Sequence, residues 1–574
     1  MLAMSFKKYA VHPAIPEDIN SALESYHPTL RKILHYRGLS DQASAEAFLN
    51  PDYDLDLHDP FLLRGMHESV ERILKAIENK EKIVIYSDYD ADGIPGGVVL
   101  REFFEKIGHE TVENYIPHRH DEGYGFHKDS IALFAEAGAN LIITIDCGIT
   151  DIEAVQEAKN RGIDVIITDH HEEGSVPPPA FAIINPKQEA CSYPEKVLCG
   201  SGVVFKLIQA ILSKNRFGLG EGQEKWFLDL VGIATLSDMV PLTGENRALA
   251  HYGLKVLQKS KRPGLQSIWK KLGVEQRNIT EDDIGFSLAP RLNAASRMGS
   301  PQNAFRLLKT DTHSEAEEMS AYLNAVNDER KGVVASLVKE IKKHFEERSR
   351  LGPLPPVVVL GNPLWKPALL GLAGNSVMQY VNRPIFLWGR NGDAILKGSC
   401  RSDGKTNMIA LMEGAREDFI QFGGHKMAGG FAVSHESVHT LEEKLNKSFE
   451  TLPISLDEDG AIDAEITPDE ITWDLYRHIE RLAPFGVGNP KPLFLLKDAE
   501  LETVKEFGKE KNHLEVSVKR NGKPLKAIAF FSGVDDFSVT PKAGGRANMV
   551  VSLEKSNFRS YPELRLRIID IIDV

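Results

Sequence analysis

"KIVIYSDYDADGIPGG", Lys82 to Gly97, runs an apolar stretch straight into three carboxylates on alternate residues and closes them with a glycine. Ile83-Val84-Ile85 has the look of a short strand. Asp88, Asp90 and Asp92 repel one another, so the cluster is costly unless a cation sits among them. The D-x-D-x-D-G spacing is also that of an EF-hand calcium loop, which needs a bidentate Glu at its twelfth position and a helix on either side. Counting from Asp88, the twelfth residue is Val99, and the run before the loop is β-like. The calcium loop is excluded, and the ligands that complete the site must come from elsewhere in the chain.

Two further segments repeat the pattern. "LIITIDCGI" from Leu141 and "DVIITDHH" from Asp164 are apolar strands that end in polar residues, and helix-like segments such as "DSIALFAEAGA" and "DIEAVQEAKNRG" lie between the strands. This alternation predicts an α/β fold with a parallel sheet covered on both faces. Ligands in such sheets bind beyond the C-terminal strand ends. Asp88, Asp90, Asp92, Asp146, Asp169, His170 and His171 all fall there. A fourth piece, Asp238 in "LSDMVPL", follows a helix that breaks near Ser237. One such carboxylate is commonly a helix cap, but capping does not account for all four groups together. Asp and His around hard cations, with carboxylates able to bridge two ions, suit a two-metal centre for phosphoryl chemistry. Mixed oxygen and imidazole ligation favours Mn²⁺ over Ca²⁺, with Mg²⁺ as a competitor, and no thiolate is placed to select zinc.

The chain of 574 residues is too long for one core, and its 42% hydrophobic, 26% charged composition is ordinary for folded domains. No apolar run approaches the ~18 residues of a membrane span, so no membrane association is expected, and the opening "MLAMSFKKYAVHP" has no signal-peptide core. Cys147, Cys191, Cys199 and Cys400 form no C-x-x-C pair, which points to a reducing, cytoplasmic setting. The net charge of −14 taken alone opposes a nucleic-acid partner, yet Lys491 to Val574 holds 15 Lys plus Arg against 12 Asp plus Glu. Before the sheet, "SDQASAEAFLNP" reads as a helix with a Ser/Asp start and an Asn-Pro stop. Beyond Asp238 the chain is mainly helical and ends in a long charged helix that begins "SEAEEMSAYLN". A second α/β segment opens at "VVVLGN" and contains "FGGHKMAGGF". The tail is β-rich, with "KRNGKPL" a hairpin signal, and suits a small barrel.

The order D-x-D-x-D-G, D-C-G, D-H-H and S-D-x-V-P-L resembles the DHH phosphoesterase superfamily. "YIPHRHDEGYGFH", "INPKQ", "LCGSGVVFKL", "PRLNAASRMG", "KGSCRS", "FGGHKMAGGF" and "LAPFGVGNPKPLF" further resemble landmarks of the RecJ family of single-stranded-DNA exonucleases, in the right order. Residues 1–80 read as a helical lead-in packing on the domain that follows; from about residue 80 onward the resemblance implies a DHH catalytic domain at 81–250, a helical connector at 251–350, a DHHA1 domain at 351–455 and an OB-fold at 456–574. It implies two divalent ions, one on Asp88 and Asp90, the other on Asp92, His170 and Asp238, with Asp146 bridging. His171 would face the scissile phosphate, and Asp169 completes the catalytic motif.

On the substrate side the resemblance implies Arg401 and Ser399 around the terminal 5′-phosphate, with Arg119 nearby. Ser402, Gly423, Gly424, His425, Arg291, Asn293 and Arg297 join them as expected contacts. Ser296, Pro95-Gly96 and the Trp365 motif depart from the usual family pattern, and none is an expected metal ligand. The expected activity is 5′-to-3′ degradation of single-stranded DNA to 5′-mononucleotides, in repair and recombination. A monomer is expected, with a single-strand-binding protein or helicase as partner. Phe494, Phe530, Phe531, Phe558 and Tyr561 are candidate stacking aromatics in the tail. Two other readings stay open: hydrolysis of short oligonucleotides or small nucleotides, which the long connector and tail disfavour, and a silent DNA-binding scaffold, which the full ligand set disfavours.

Overall fold

The computed structural model describes residues 9–390, 392, 395–452, 460–508, 511–556 and 561–573. The chain divides into two units, one of Asp59–Asp238 and Gly253–Asp457, the other of Phe6–His58, Met239–Tyr252 and Glu458–Val574.

In the first unit, β1 (Ile83–Ser87) is buried at every residue and leads through the aspartate loop into α1 (Gly93–Lys106). β2 (Val112–Tyr115), α2 (Lys128–Glu136), β3 (Leu141–Ile145), α3 (Ile152–Asn160), β4 (Asp164–Thr168) and β5 (Ala182–Ile184) follow. The five strands are parallel in the order β2-β1-β3-β4-β5. Unbroken apolar strands such as Leu141–Ile145 are what a sheet covered on both faces requires. One cover is α2 and α3, whose Ile131, Phe134, Val155 and Ala158 share a core with Val84, Ile142 and Val165. α4 (Gly200–Lys214), buried over most of its length, and α5 (Leu228–Ser237) lie with α1. In this strand order the connections leave β1 and β3 in opposite directions, which opens a crevice at their C-terminal ends.

A helical stretch includes α6 (Ala289–Met298), entered through a π-helical turn at Ile284–Leu288, and the 39-residue α7 (His313–Leu351). Leu337, Ile341 and Phe345 of α7 pack into the core of the second sheet with Val358, Leu369, Ile385 and Leu387. That sheet contains β6 (Val358–Gly361), β7 (Ile385–Gly389), β8 (Leu396–Arg401), β9 (Gln421–His425) and β10 (Ala428–Val433), in the order β9-β10-β8-β7-β6, with α8 (Pro367–Val381) against it. Only β6 and β7 run parallel.

The second unit is built on a barrel. β11 (Phe494–Phe507), β12 (His513–Val518), β13 (Leu525–Phe530), β14 (Arg546–Ser556) and β15 (Glu563–Ile572) close in the order β11-β12-β13-β15-β14, with β14 returning to β11. Five strands closed in this way form an OB-fold. The β12–β13 turn contains Gly522 at φ +91°, as its Asn-Gly pair predicts.

The sequence placed residues 1–80 as one lead-in on the catalytic domain, and this requires correction. Leu30, Ile33, Leu34 and Leu49 from the N-terminal helices share a core with Leu475, Ile479, Phe494 and Val516 of the barrel unit. The helix Met66–Glu78 is the part that lies on the parallel sheet, against β5 and α4. Arg247 is 2% exposed and donates to the carbonyls of Phe48, Leu482 and Ala483 at 2.7, 2.9 and 3.0 Å, so one side chain binds all three stretches of this unit. Among the described residues no helix is long and apolar enough to cross a membrane.

Candidate metal centre

The crevice between β1 and β3 gathers the acidic loops. Asp90 Oδ1 accepts from the backbone N–H of Asp92 and Gly93 at 2.8 and 3.1 Å, which winds the loop tightly. Ala91 N–H donates to Asn293 Oδ1 of α6 at 2.9 Å. Asp92 is gripped by the start of α4: Gly200 N–H and Ser201 N–H donate to its carboxylate at 2.6 and 2.8 Å, and Ser201 Oγ–H donates to its carbonyl at 2.6 Å. Asp146 ends β3 at φ +62°, a left-handed conformation that a non-glycine residue adopts at a cost. A Cβ on Gly200 would lie 2.7 Å from that of Asp146, so the close approach of α4 requires glycine there.

Among the described residues three groups of ligand atoms result, each within 4.8 Å: Asp88, Asp90 and Asp146; Asp92, His170 and Asp238; Asp146, His170 and His171. Asp146 and His170 each belong to two groups. His170 Nε2 lies 3.0 Å from Asp146 Oδ1, yet both atoms, and Asp88 Oδ1, are buried without a hydrogen-bond partner. Buried donors and acceptors left in this state are costly, and carboxylates more so. Divalent cations would satisfy all three atoms at once, and an oxygen and imidazole set without sulfur fits Mn²⁺ or Mg²⁺.

The electrostatics agree. Burial, then the charge of Asp90, pushes Asp88 and Asp92 above the usual carboxylate range, Asp92 to about 6. Asp146 is raised by burial and then by Asp92, Asp90, Asp88 and Asp238. Burial followed by Asp92 and Asp90 takes Asp238 up to about 9. His170 drops to about 3 through burial and the neighbouring His171, which keeps its imidazole neutral and able to bind a metal. Such crowding of carboxylates is what a cation relieves.

Asp169 plays another part. It is fully buried, and its oxygens accept from Ile149, His170 and His171 backbone N–H at 3.0, 2.7 and 3.1 Å, and face His171 Nδ1 at 2.8 Å. Burial opposes the charge on His171, but this partner outweighs it and raises the half-exposed imidazole to about 9. Asp169 is therefore held below its ordinary range despite its own burial. Tyr124 Oη donates to the Asp146 carbonyl at 3.2 Å and sits 3.1 Å from His171 Nδ1.

Of the expected substrate contacts, several come together. β8, β10 and β9 align Ser399, Gly430 and Gly423 in one row and Arg401, Ala428 and His425 in another, with Gly424 between. Arg401 Nε donates to Asn375 Oδ1 at 2.6 Å, and α8 passes it at Gly371, where a Cβ would meet Nη2 at 2.5 Å. Arg297 Nη1 donates to the Ala368 carbonyl of α8 at 2.6 Å, and the Arg297 carbonyl meets His120 Nε2 at 3.0 Å. The Arg119 guanidinium lies 4.7 Å above the Tyr89 ring.

Two expected contacts are spent on structure. Ser402 is buried, with Oγ–H donating to Thr406 O at 2.6 Å and Oγ accepting from Gly404 N–H at 3.0 Å. Arg291 is 8% exposed; its Nε and Nη2 donate to Asn324 Oδ1 at 3.1 and 2.9 Å, and its Nη1 to Ser287 O at 2.7 Å, so it ties α6 to α7. In the barrel, Phe494 is core, while Phe531 and Tyr561 are 80% and 56% exposed and Phe530 lies 4.5 Å under Arg567. Phe558 lies outside the described residues. Tyr124, Gly200 and Ser201 were missed as site residues, although "DEGYGFH" and "LCGSG" stood out as motifs. Pro95 falls in the first turn of α1, where a missing N–H is tolerated.

Residues 82–235 match the family model of the DHH family N-terminal domain, and residues 462–570 that of the RecJ OB domain. The chain is 35% identical to the single-stranded-DNA-specific exonuclease RecJ of Bacillus subtilis (strain 168), over 96% of this chain and 69% of that protein. It is 30% identical to the enzyme of the same name from Haemophilus influenzae, over 96% of each. The crystal structure of RecJ in complex with Mn²⁺ from Thermus thermophilus is similar with a TM-score of 0.82 at 26% identity, over 99% of this chain and 80% of that one.

Proposed function

Because this chain belongs to the RecJ family, we propose that it is a metal-dependent exonuclease specific for single-stranded DNA, working from the 5′ end and releasing 5′-mononucleotides, in DNA repair and recombination. The observation that carries the reading is the set of three overlapping ligand groups whose buried Asp88, Asp146 and His170 atoms lack partners.

In this reading Asp88 and Asp90 would hold one divalent ion, Asp92, His170 and Asp238 would hold the other, and Asp146 would be shared between them. Mn²⁺ is the ion of choice, with Mg²⁺ as an alternative. When bound, the ions supply a nucleophile at neutral pH and offset the charge that builds on the phosphate. Water adds to phosphorus, the P–O3′ bond breaks, the departing nucleotide leaves with a 3′-hydroxyl, and the shortened strand keeps a new 5′-phosphate. His171, fixed by Asp169 through Nδ1, donates a hydrogen bond to a phosphoryl oxygen as its charge grows. Arg119 and Arg297 orient the scissile phosphate, while Ser399, Arg401 and the exposed backbone of Gly423 and Gly424 receive the terminal 5′-phosphate, with His425 beside it. Phe531 and Tyr561 offer stacking surfaces in the barrel. The enzyme acts as a monomer, and a single-strand-binding protein or a helicase would present the strand.

The test is product analysis on a 5′-labelled single-stranded oligonucleotide with Mn²⁺, beside its duplex and a dinucleotide, with Asp146→Ala as control. Early release of labelled mononucleotide from the single strand alone is expected. Cleavage confined to the dinucleotide would overturn the reading.

A further inference from the structure

The long helix α7 is more than a connector where it faces α6. Asn324, Asn327 and Arg330 follow one another at three-residue spacing and so share one helix face. Asn324 is accounted for: its Oδ1 accepts from Arg291 and its Nδ2 donates to Asp328 at 3.1 Å. Asn327 is not. It is 0% exposed, and neither its Oδ1 nor its Nδ2 has a hydrogen-bond partner. The Nε atoms of Arg330 and Arg297 are buried and unpartnered as well.

Like charges crowd here as well. Arg119 and Arg330 both bear on Arg297, with Tyr89 and Asp90 as the weaker opposing influences, and Arg291, itself faced by Asp328, bears on Arg330. Among the described residues none of these four guanidiniums makes an ion pair. Folded proteins rarely bury cations and amide groups together without an acceptor. An oxyanion satisfies guanidinium N–H groups and the Asn327 Nδ2 N–H at one place; Asn327 Oδ1, itself an acceptor, is not satisfied by it. Its location is defined by Arg297, which reaches α8 at Ala368, and by Asn293 on the same helix, which holds the aspartate loop through Ala91.

We infer that Asn327 and Arg330 are substrate-positioning residues, which complete with Arg297 an oxyanion cradle that takes a phosphate group of the bound strand. This rests on the exonuclease reading for the identity of the strand, but not for the anion. The cradle differs in kind from the acceptor-filled surroundings of Arg291, a few residues away, whose N–H groups are spent on protein oxygens.

The experiment pairs Arg330→Gln, Arg330→Lys and the volume-conserving Asn327→Leu with wild type. Removing an unpaired buried group should leave the melting temperature of the free protein equal or higher. It should raise KM on single-stranded DNA about tenfold or more, as loss of a charge-assisted hydrogen bond does, while kcat stays within about threefold. Arg330→Lys should recover part of the loss, and the log–log salt dependence should flatten by about 0.7 for one lost phosphate contact on a single strand. Equal penalties on 5′-hydroxyl and 5′-phosphate oligonucleotides would assign an internal phosphate; a penalty on the 5′-phosphate form alone would assign the terminal one. Independently, inorganic phosphate at constant ionic strength should raise the melting temperature of wild type and not of Arg330→Gln. If both Arg330→Gln and Asn327→Leu melt lower with KM unchanged, the face is structural and the inference is overturned. A wild type without nuclease activity would sink the exonuclease reading and leave the phosphate experiment to decide this one.

Discussion

Asp169 and Asp146 are both buried strand-end carboxylates, yet one is filled by its neighbours and the other is not. Both oxygens of Asp169 accept from backbone N–H groups and one also faces His171, whereas Asp146 Oδ1 has no hydrogen-bond partner, only the close His170 imidazole. This contrast separates a residue that orients from a residue that binds. Asp169→Asn should therefore lower kcat by about 10²–10⁴-fold, the range of a positioned proton or hydrogen-bond donor, with Mn²⁺ affinity by calorimetry little changed. Asp146→Ala should lose both. Equal loss of Mn²⁺ affinity in the two variants would count against the distinction. The carboxylates of the site could be read from the sequence because their spacing after apolar runs has no bland explanation in bulk. Tyr124 and Ser201 could not, because a tyrosine in a loop and a serine at a helix start are ordinary until the chain brings Asp146 and Asp92 beside them.

Between elements, the decisive fact is that β1 and β3 are neighbours whose onward connections diverge. Strand–helix alternation was legible from period and punctuation, and so was the barrel hairpin at Asn521-Gly522. Which polar residues would be consumed by local geometry was not. Ser402 in "RSDGKT" goes to its own turn, and Arg291 to the joint between α6 and α7. Both look like phosphate ligands in sequence, because the donors that bind an anion are the donors that bind a carbonyl. Arg291→Met should untie that joint and destabilise the first unit by about 2–4 kcal/mol, measured by chemical denaturation. With the fold intact at low temperature, KM for DNA should shift less than in Arg330→Gln. A larger KM effect from Arg291→Met would return it to the substrate surface.

Across the molecule, stability is coupled to ligands and to distant stretches of chain. Metal binding to groups that repel one another in its absence should raise the melting temperature of the EDTA-treated protein, with about 2.7 kcal/mol gained at a hundredfold excess over Kd. Scanning calorimetry with and without Mn²⁺ checks this, and Asp146→Ala should blunt the gain. Arg247→Met should cost the barrel unit about 3–5 kcal/mol, since three carbonyls, the buried one of Leu482 among them, lose a charged donor; a calorimetric transition for that unit unchanged in Arg247→Met would refute it. The N-terminal helices were misassigned for a physical reason. An amphipathic helix announces that it has a partner, but not which one, and here the partner is more than four hundred residues away.

That separation has a cost in time. Leu30, Ile33 and Leu34 are made early, Arg247 midway, and the strands that enclose them last. At synthesis rates of roughly 5–20 residues per second, the wait between Tyr252 and Gly460 is on the order of 10–40 s. During it the apolar stripe of the first helices waits for the strands that cover it, so the beginning of the chain reaches its native packing only after the last strands of that core have been made.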